Sequence, residues 1–172
     1  MKLSLFVVDH ASSERIPVYV AEATSQELEA TKQWQTYWMS KAAKNMPNKV
    51  ALRRTDDNEL LGLMSYSIDS RMLAVEIIYV ESAGHSNANL LRQDGLQKKY
   101  NGIAKALFAH AVDISVREGF NGVLVFKAKT SELVDYYINA FGASHVGSYD
   151  PFRLVIWEDA AIELIRDYLE VE

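Results

Sequence analysis

Apolar residues in this chain form two kinds of pattern, short continuous runs and longer stripes with helical spacing. The runs are rich in β-branched and aromatic residues, which is typical of buried strands. They lie at residues 3–8, 16–21, 49–54, 60–68, 72–80, 122–128, 145–149 and 152–157. The stripes predict helices at residues 25–44, 102–118, 131–141 and 158–172. The chain is therefore predicted to have an α/β fold.

The order of these segments predicts how the strands pair. Residues 49–54, 60–68 and 72–80 are joined by short polar links, as in an antiparallel meander. A helix separates residues 72–80 from 122–128, which predicts a parallel βαβ unit. Pro17 lacks a backbone N–H and suggests that its strand lies at a sheet edge. The prediction is a single domain, residues 1–172, with a mixed, mainly antiparallel sheet flanked by helices.

Composition narrows the classes of partner. The net charge of -5 and the pI near 5.4 argue against a general binder of nucleic acid or anionic membranes. The chain has no cysteine and its four histidines are scattered, so neither disulfides nor a metal site are predicted. No apolar run has membrane-spanning length, and the one at the N-terminus is too short for a signal peptide. We expect a soluble, cytoplasmic protein.

A basic loop ending in a glycine stands just before the second predicted helix. Free backbone N–H groups and the helix dipole at such a start attract a phosphate or a diphosphate. Gly102 has no Cβ to hold a ligand away, and Ala104 keeps the next turn thin. Lys98, Lys99 and Lys105 add positive charge in a chain that is negative overall. The loop therefore predicts an anion site.

The loop resembles the acyl-CoA pyrophosphate loop of the GNAT superfamily of N-acetyltransferases, whose pattern is Arg/Gln-x-x-Gly-x-Gly/Ala. The matching residues are Lys99, Tyr100, Asn101, Gly102, Ile103 and Ala104, with Lys in the place of Arg or Gln. The order of apolar strand, loop, helix, strand and helix is also similar, over roughly residues 48–157. Neither the Walker phosphate loop nor the dinucleotide fingerprint is present. The resemblance implies a GNAT-like acyl-CoA N-acyltransferase fold.

The resemblance also implies a cosubstrate and its contacts. Acetyl-CoA would donate an acetyl group to a primary amine. The backbone from Tyr100 to Ala104 would hold the pyrophosphate, with Lys99 beside it. Strand-edge groups of Ile78, Tyr79 and Val80 would contact the pantetheine arm where two strands splay apart.

Three residues are candidates for acid and base. Glu76 interrupts an apolar strand, where burial would raise its pKa toward that of a useful base, although it can instead face solvent. Glu81, just beyond that strand, is the second candidate base. Tyr137 resembles the family's general acid but can equally be a core residue. It lies five residues before Gly142, whereas the family has four, and one residue rotates a helical side chain by about 100°.

Several interpretations stay open at the level of sequence. Trp34, Tyr37 and Trp38 either line an acceptor pocket or pack the core, and the spacing favours the core. His110 lies among apolar neighbours and is interpreted as structural. The polar segment 81–96 has no counterpart in most members of the family and is either a mobile loop or a lid, with the loop favoured.

Two other functions are compatible with the same residues. One is a non-catalytic acyl-CoA-binding or interaction domain that keeps the fold without the acid and base. The other is a phosphate-loop protein for a different nucleotide, such as ATP or NAD. The sequence determines neither the acceptor nor the oligomeric state, so a dimer is left open.

Overall fold

The computed structural model describes residues 1–87, 91 and 97–171. Within these residues there are nine strands and four α-helices. The strands are β1 Phe6–Asp9, β2 Arg15–Glu22, β3 Lys49–Arg54, β4 Leu60–Asp69, β5 Ala74–Ser82, β6 Tyr100–Asn101, β7 Leu124–Lys127, β8 Ser144–His145 and β9 Arg153–Ile156. The helices are α1 Ser25–Glu29, α2 Ile103–Arg117, α3 Ser131–Phe141 and α4 Glu158–Ile165. Each predicted apolar run contains part of a strand, which confirms the α/β class.

The chain divides into two compact units. The first consists of Ser4–Ser65 and Tyr79–Leu107. The second consists of Met1–Leu3, Tyr66–Ile78 and Phe108–Glu172. The single domain over residues 1–172 stays a prediction.

The strands of the first unit follow the order β6-β1-β2-β3-β4. The pairs β6–β1, β1–β2, β2–β3 and β3–β4 are all antiparallel. Asn58 has a φ of 61° in the turn between β3 and β4, a conformation that asparagine tolerates well. The predicted antiparallel pairing of residues 49–54 with 60–68 is therefore confirmed.

The suggestion that the strand containing Pro17 lies at an edge is wrong. β2 pairs with β1 on one side and with β3 on the other. The β2–β3 ladder begins at Val18, which lies opposite Arg54, and Pro17 is the residue before it. The missing N–H therefore removes no bond from that ladder, while the Pro17 carbonyl still accepts a hydrogen bond from the Thr55 N–H at 3.0 Å.

In the second unit, β7 pairs with β5 and β9, and β9 pairs with β8. β5 and β7 are parallel, with Val75 opposite Leu124 and Ile77 opposite Phe126, while the other two pairs are antiparallel. This parallel pair, with α2 between its strands in the chain, confirms the predicted βαβ unit. The sheet pairing is thus mixed and mainly antiparallel, as predicted.

The predicted helix over residues 25–44 is wrong beyond its first turns. α1 ends at Glu29 and a 3-10 turn at residues 30–33 follows, after which Trp34 is extended. Thr31 explains the break, because its Oγ1 donates to the Leu28 carbonyl at 2.7 Å and accepts from the Trp38 N–H at 2.9 Å. These side-chain bonds offer the backbone an alternative to a continuous helix. The aromatic spacing reflected burial of Trp38 and not a long helix.

α2 is the longest helix and closely matches the prediction for residues 102–118. Gly119, with a φ of 83°, ends it in the left-handed conformation expected of a helix-terminating glycine. In the second unit a Cβ on Gly122 would lie 2.9 Å from the Cβ of Ala161 and 3.3 Å from Val112. This glycine therefore permits close packing between α2 and α4. None of the helices in the described ranges is long and apolar enough to cross a membrane.

The predicted C-terminal helix over residues 158–172 is shorter than expected. α4 ends at Ile165, and a 3-10 turn covers residues 166–168. Leu169 then becomes extended and bridges to Leu3 in an antiparallel pair. The first strand is also shorter than the predicted apolar run, since β1 begins at Phe6 and not at residue 3.

We predict that His110 makes stability fall in mild acid. Burial lowers the pKa of this half-buried histidine to about 4, opposed by Asp113 and reinforced by Arg117. Below pH 6.5, the usual pKa of histidine, the unfolded chain takes up a proton that the folded chain does not. The contribution of His110 to the free energy of unfolding is therefore fully present above pH 6.5 and is lost as the pH falls toward 4. His110→Gln should flatten the pH dependence of urea unfolding across this window. The same change at the exposed His145 is the control, and an unchanged slope in His110→Gln would contradict the assignment.

Candidate functional site

The loop that precedes α2 contains a short strand that its sequence does not predict. Tyr100 and Asn101 form β6 and pair with β1, with Asp9 opposite Tyr100 and Val8 opposite Asn101. The Asn101 side-chain amide also lies 3.0 Å from Nδ1 of His10. The residues immediately before Gly102 are therefore held in a sheet and not in an irregular loop.

Gly102 is the single residue between β6 and α2. Its φ is 92°, and a Cβ placed there would meet no heavy atom within 4 Å. α2 begins at Ile103, and the Ala106 N–H donates to the Gly102 carbonyl at 3.0 Å. The N–H groups of a first helical turn have no carbonyl partner within the helix, and the helix dipole makes this end positive. Gly102 is thus open at the start of α2, where the sequence predicts a backbone anion site.

A second glycine sets the position of the first turn of α2 in the first unit. A Cβ on Gly62 would lie 2.8 Å from Cγ2 of Ile103 and 3.3 Å from Cδ1 of Leu107. It would also lie 3.1 Å from the carbonyl oxygen of Glu81. Contacts this short require the neighbours to shift, so only glycine lets β4 and the start of α2 approach this closely.

Lys99 is engaged by a carboxylate. Its Nζ lies 3.5 Å from Oε2 of Glu59 and 5.2 Å from the centre of the Tyr100 ring. Partial desolvation acts to lower the pKa of Lys99, but Glu59 and Tyr100 together raise it above the usual value. Half of the lysine side chain remains exposed, at 51%. The positive charge of this lysine is thus partly compensated within the protein.

Tyr100 is held by both its backbone and its side chain. The residue is 1% exposed. Its hydroxyl donates to Oε1 of Glu59 at 2.9 Å and accepts from Nη1 of Arg54 at 2.7 Å. Its backbone N–H donates to Oγ of Ser86 at 3.0 Å, and its ring contacts His85 edge-on at 5.4 Å. These bonds fix the chain two residues before Gly102.

The end of β5 extends beyond its partner strand. Ile77 is the last residue of β5 paired with β7, and β5 continues to Ser82. Of the three residues predicted to contact a pantetheine arm, Ile78 is exposed while Tyr79 and Val80 are half-buried. The predicted site residues on β5 thus follow directly on its pairing with β7.

The two candidate bases have different surroundings. In the second unit, Glu76 is half-buried and stands in register with Val125. In the first unit, Glu81 is 4% exposed, and its Oε1 accepts the Thr36 N–H at 3.1 Å. Oγ1 of Thr36 also lies 2.6 Å from the hydroxyl of Tyr79. The more buried carboxylate is therefore Glu81, and Thr36 joins it to Tyr79.

Tyr137 belongs to an aromatic cluster in the second unit. Its ring stacks on Phe108 at 5.4 Å and meets Phe126 edge-on at 5.0 Å. Burial, with a smaller contribution from Tyr136, raises the pKa of Tyr137 to about 12. Among the described residues, none is found to hydrogen-bond the Tyr137 hydroxyl. The phenol is therefore kept neutral with its O–H available as a donor.

The C-terminal end of α3 is irregular and contains one extra residue. The Gly142 N–H donates to the carbonyl of Tyr137, five residues earlier, and the Ala143 N–H donates to the same carbonyl at 3.1 Å. A bond between residues five apart is a π-type turn, which is one residue wider than an α-turn. Gly142 completes the turn with a φ of 69°. This turn accommodates the five-residue spacing noted in the sequence.

The aromatic residues of segment 34–38 have separate environments in the first unit. Trp38 is fully buried and packs with Ala51 and Leu63, and its ring meets Tyr79 edge-on at 5.4 Å. Trp34 and Tyr37 are half-buried. Trp38 is therefore a core residue, in agreement with the favoured interpretation, whereas Trp34 and Tyr37 remain partly accessible.

Two other predictions concern residues near the loop. Much of the polar segment 81–96, predicted to be a mobile loop or a lid, falls on residues 88–90 and 92–96, which lie outside the described residues.

Across residues 1–87, 91 and 97–171, no three His, Asp or Glu side chains are grouped so that they could hold a metal ion.

Comparison with known proteins gives matches in structure only. No protein-family model matches the chain, and no curated protein matches it in sequence. A GNAT-family acetyltransferase from Listeria monocytogenes 4b F2365 matches 88% of this chain and 98% of its own at 9% identity, with a TM-score of 0.55. The KacTA–DNA complex matches at 15% identity, covering 87% of this chain and 99% of its own, with a TM-score of 0.52. A mutant AtaT toxin bound to the C-terminus of the antitoxin AtaR and acetyl-CoA matches at 13% identity, covering 86% of this chain and 97% of its own, with a TM-score of 0.51.

The chain has the GNAT fold. The order expected of that fold is present, since β5 is followed by the loop at Gly102, α2, β7 and α3. Identities this low establish the GNAT fold alone, so the roles of the predicted site residues stay predictions.

The structure distributes the predicted site residues between the two units. In the first unit the predicted pyrophosphate loop from Lys99 to Ala104 contains β6 and the start of α2, and Tyr79 and Glu81 share Thr36 as a partner. Glu76 and Tyr137 lie in the second unit. Sequence reasoning missed Glu59, because a glutamate at the end of a hairpin turn gives no periodic signal.

Proposed function

We propose that this protein is an acetyl-CoA-dependent N-acetyltransferase that acts on a primary amine. The observation that carries the proposal is the open, left-handed Gly102 at the start of α2, in a chain with the GNAT fold. Phosphate and diphosphate groups are among the anions that free N–H groups at a helix N-terminus bind. The mutant AtaT toxin that matches this chain in structure is bound to acetyl-CoA, and that observation belongs to the AtaT complex. Here it supports the choice of acetyl-CoA over other diphosphates.

The cosubstrate would supply the acetyl group as a thioester, and the residues of the chain would bind and orient it. Backbone amides at Gly102, Ile103 and Ala104 would hold the diphosphate. Backbone groups of Ile78 and Val80 would contact the pantetheine arm. Holding two reactants in a productive geometry supplies much of the rate enhancement in such transfers.

The proposed reaction needs a proton acceptor and a hydrogen-bond donor. The carboxylate of Glu76 takes a proton from the acceptor amine, whose nitrogen then bonds to the thioester carbonyl carbon as the carbon–sulfur bond breaks. The Tyr137 O–H donates a hydrogen bond to the departing sulfur. Glu76 is preferred to Glu81 because the Glu81 carboxylate already accepts the Thr36 N–H. Trp34 and Tyr37 are proposed to contact the acceptor, since both are partly accessible.

The proposal extends to location and partners. We propose that the protein works in the cytoplasm with acetyl-CoA and a small or protein-bound amine, and without nucleic acid. The net charge of -5 supports a cationic acceptor over an anionic one.

Gly102→Val should abolish tight binding of acetyl-CoA. The new side chain would occupy the open space in front of the α2 amides, and the strained φ should cost about 1–3 kcal/mol of folding free energy. Gly119→Val is a matched control, because Gly119 ends the same helix at a φ of 83° and also faces open space. Both variants should lose a similar amount of thermal stability. Only Gly102→Val should raise the Kd for acetyl-CoA, measured by calorimetry, by at least about tenfold. Equal affinities in the two variants would refute the loop assignment.

Tyr137→Phe should lower kcat by about 100-fold while the KM for acetyl-CoA changes little, because the lost O–H acts on the departing sulfur and not on binding. Since burial raises the pKa of Tyr137 to about 12, its neutral form persists in alkali. The wild-type rate should therefore not decline between about pH 8 and pH 10 through ionisation of this group. The release of free CoA in the presence of a panel of amines measures both the effect of Tyr137→Phe and the pH dependence of the wild-type rate. Tyr136→Phe is the control, and equal losses in both variants would contradict the role of Tyr137.

Glu76→Gln and Glu81→Gln should separate the two candidate bases. Removing the base should lower kcat about 100-fold at neutral pH. We expect this from Glu76→Gln, whereas Glu81→Gln should mainly lower thermal stability through its bond to Thr36. The reverse result would assign the base to Glu81. Acetyl-CoA binding without release of CoA by the wild type would instead support a non-catalytic domain.

A further inference from the structure

A carboxylate lies beside the proposed diphosphate loop. Glu59, at the end of the β3–β4 turn, contacts the two residues at the start of the loop, with Oε2 at 3.5 Å from Nζ of Lys99 and Oε1 accepting from the Tyr100 hydroxyl at 2.9 Å. Nε2 of His85 is 3.9 Å from the same Oε2. All of these residues belong to the first unit, so the cluster is internal to it.

Charge alone makes this arrangement unfavourable for an anion. A carboxylate close to a diphosphate repels it, and Glu59 also compensates part of the positive charge of Lys99. The side chain of Glu59 is only 26% exposed, so solvent screens it incompletely. If electrostatic attraction to Lys99 were the main source of binding, Glu59 would oppose it. Direct electrostatic attraction of the anion therefore does not account for a carboxylate at this position.

The hydrogen bonds indicate what Glu59 does. Glu59 accepts a hydrogen bond from the Tyr100 hydroxyl, and the same hydroxyl accepts one from Nη1 of Arg54 at 2.7 Å. Arg54 is itself held by Asp56, with Nη2 at 2.6 Å from Oδ2. The Lys99 N–H donates to the His85 carbonyl at 2.8 Å. Side-chain and backbone bonds thus converge on the residues two and three positions before Gly102.

We propose that Glu59 is a positioning residue for the diphosphate loop, which through Tyr100 and Lys99 fixes the direction of the amides that follow Gly102. This inference rests on the proposed function. On this account the loop binds through oriented backbone amides, and Lys99 serves as part of the support more than as a direct ligand. Preorganised amides bind an anion more tightly than mobile ones because no ordering is needed on binding.

The sign of the effect of Glu59→Ala tests the proposal. A purely electrostatic carboxylate would, once removed, let acetyl-CoA bind more tightly. A positioning carboxylate would, once removed, weaken it, and we expect at least about tenfold weaker binding because hydrogen bonds to a charged group are lost. Glu14→Ala is the matched control, because it removes the same charge from an exposed residue of the same unit.

A second donor distinguishes positioning from a general loss of structure. S-acetylpantetheine carries the same thioester but no diphosphate, so Glu59→Ala should raise the KM for acetyl-CoA and leave the KM for S-acetylpantetheine unchanged. Equal loss with both donors would show a merely structural role and overturn the proposal. Unchanged or tighter binding of acetyl-CoA would overturn it as well. Failure of the wild type to bind acetyl-CoA would instead refute the proposed function itself.

Tyr100→Phe provides a milder variant if Glu59→Ala folds poorly. It keeps the buried ring and removes only the hydroxyl that connects Glu59 to Arg54. The proposal expects the same split between acetyl-CoA and S-acetylpantetheine, in the same direction and to a smaller extent. An unchanged ratio of the two KM values in Tyr100→Phe would show that the hydroxyl does not transmit the positioning.

Discussion

The loop geometry depends on one backbone constraint, the change from strand to helix within a single residue. Tyr100 and Asn101 pair with β1, and α2 begins at Ile103, so Gly102 alone makes the change from strand to helix. A φ of 92° does this, and it is a conformation that residues with a Cβ rarely adopt. A Cβ placed on Gly102 would meet no heavy atom within 4 Å, so the start of α2 is open at this residue. Structure and proposed binding therefore come from the same glycine.

The electrostatics of the first unit suit an anion site built from the backbone. The chain has a net charge of -5, and Lys99 is compensated by Glu59. Backbone dipoles keep their direction and are insensitive to pH, whereas a mobile lysine must be ordered before it can bind. An acidic protein can thus present a local positive potential without a basic face. Such a loop has to be held rigidly, and the bonds that converge on Tyr100 fit this proposed role.

Sequence reasoning succeeded where one local signal determined the outcome. The apolar run before Glu81 predicted β5, and the apolar stripes predicted α2 and α3, because burial imposes a strong choice of residue. It failed where a distant partner decided. Thr31 breaks the predicted helix through its bond to Trp38, and no periodicity encodes that bond. β6 is a strand only because β1 lies beside it.

The candidate acid shows how a spacing can mislead when the backbone is assumed to be ideal. Between Tyr137 and Gly142 the backbone forms a π-type turn and not a regular α-turn, so the residue spacing alone does not determine the direction of the Tyr137 side chain. The raised pKa then constrains its chemistry. With a pKa of about 12, the phenol holds its proton more tightly than a thiol with a pKa of about 8.5. Tyr137 would therefore stabilise a departing thiolate by donating a hydrogen bond, and it would not complete the proton transfer unless that pKa fell when the ligand binds.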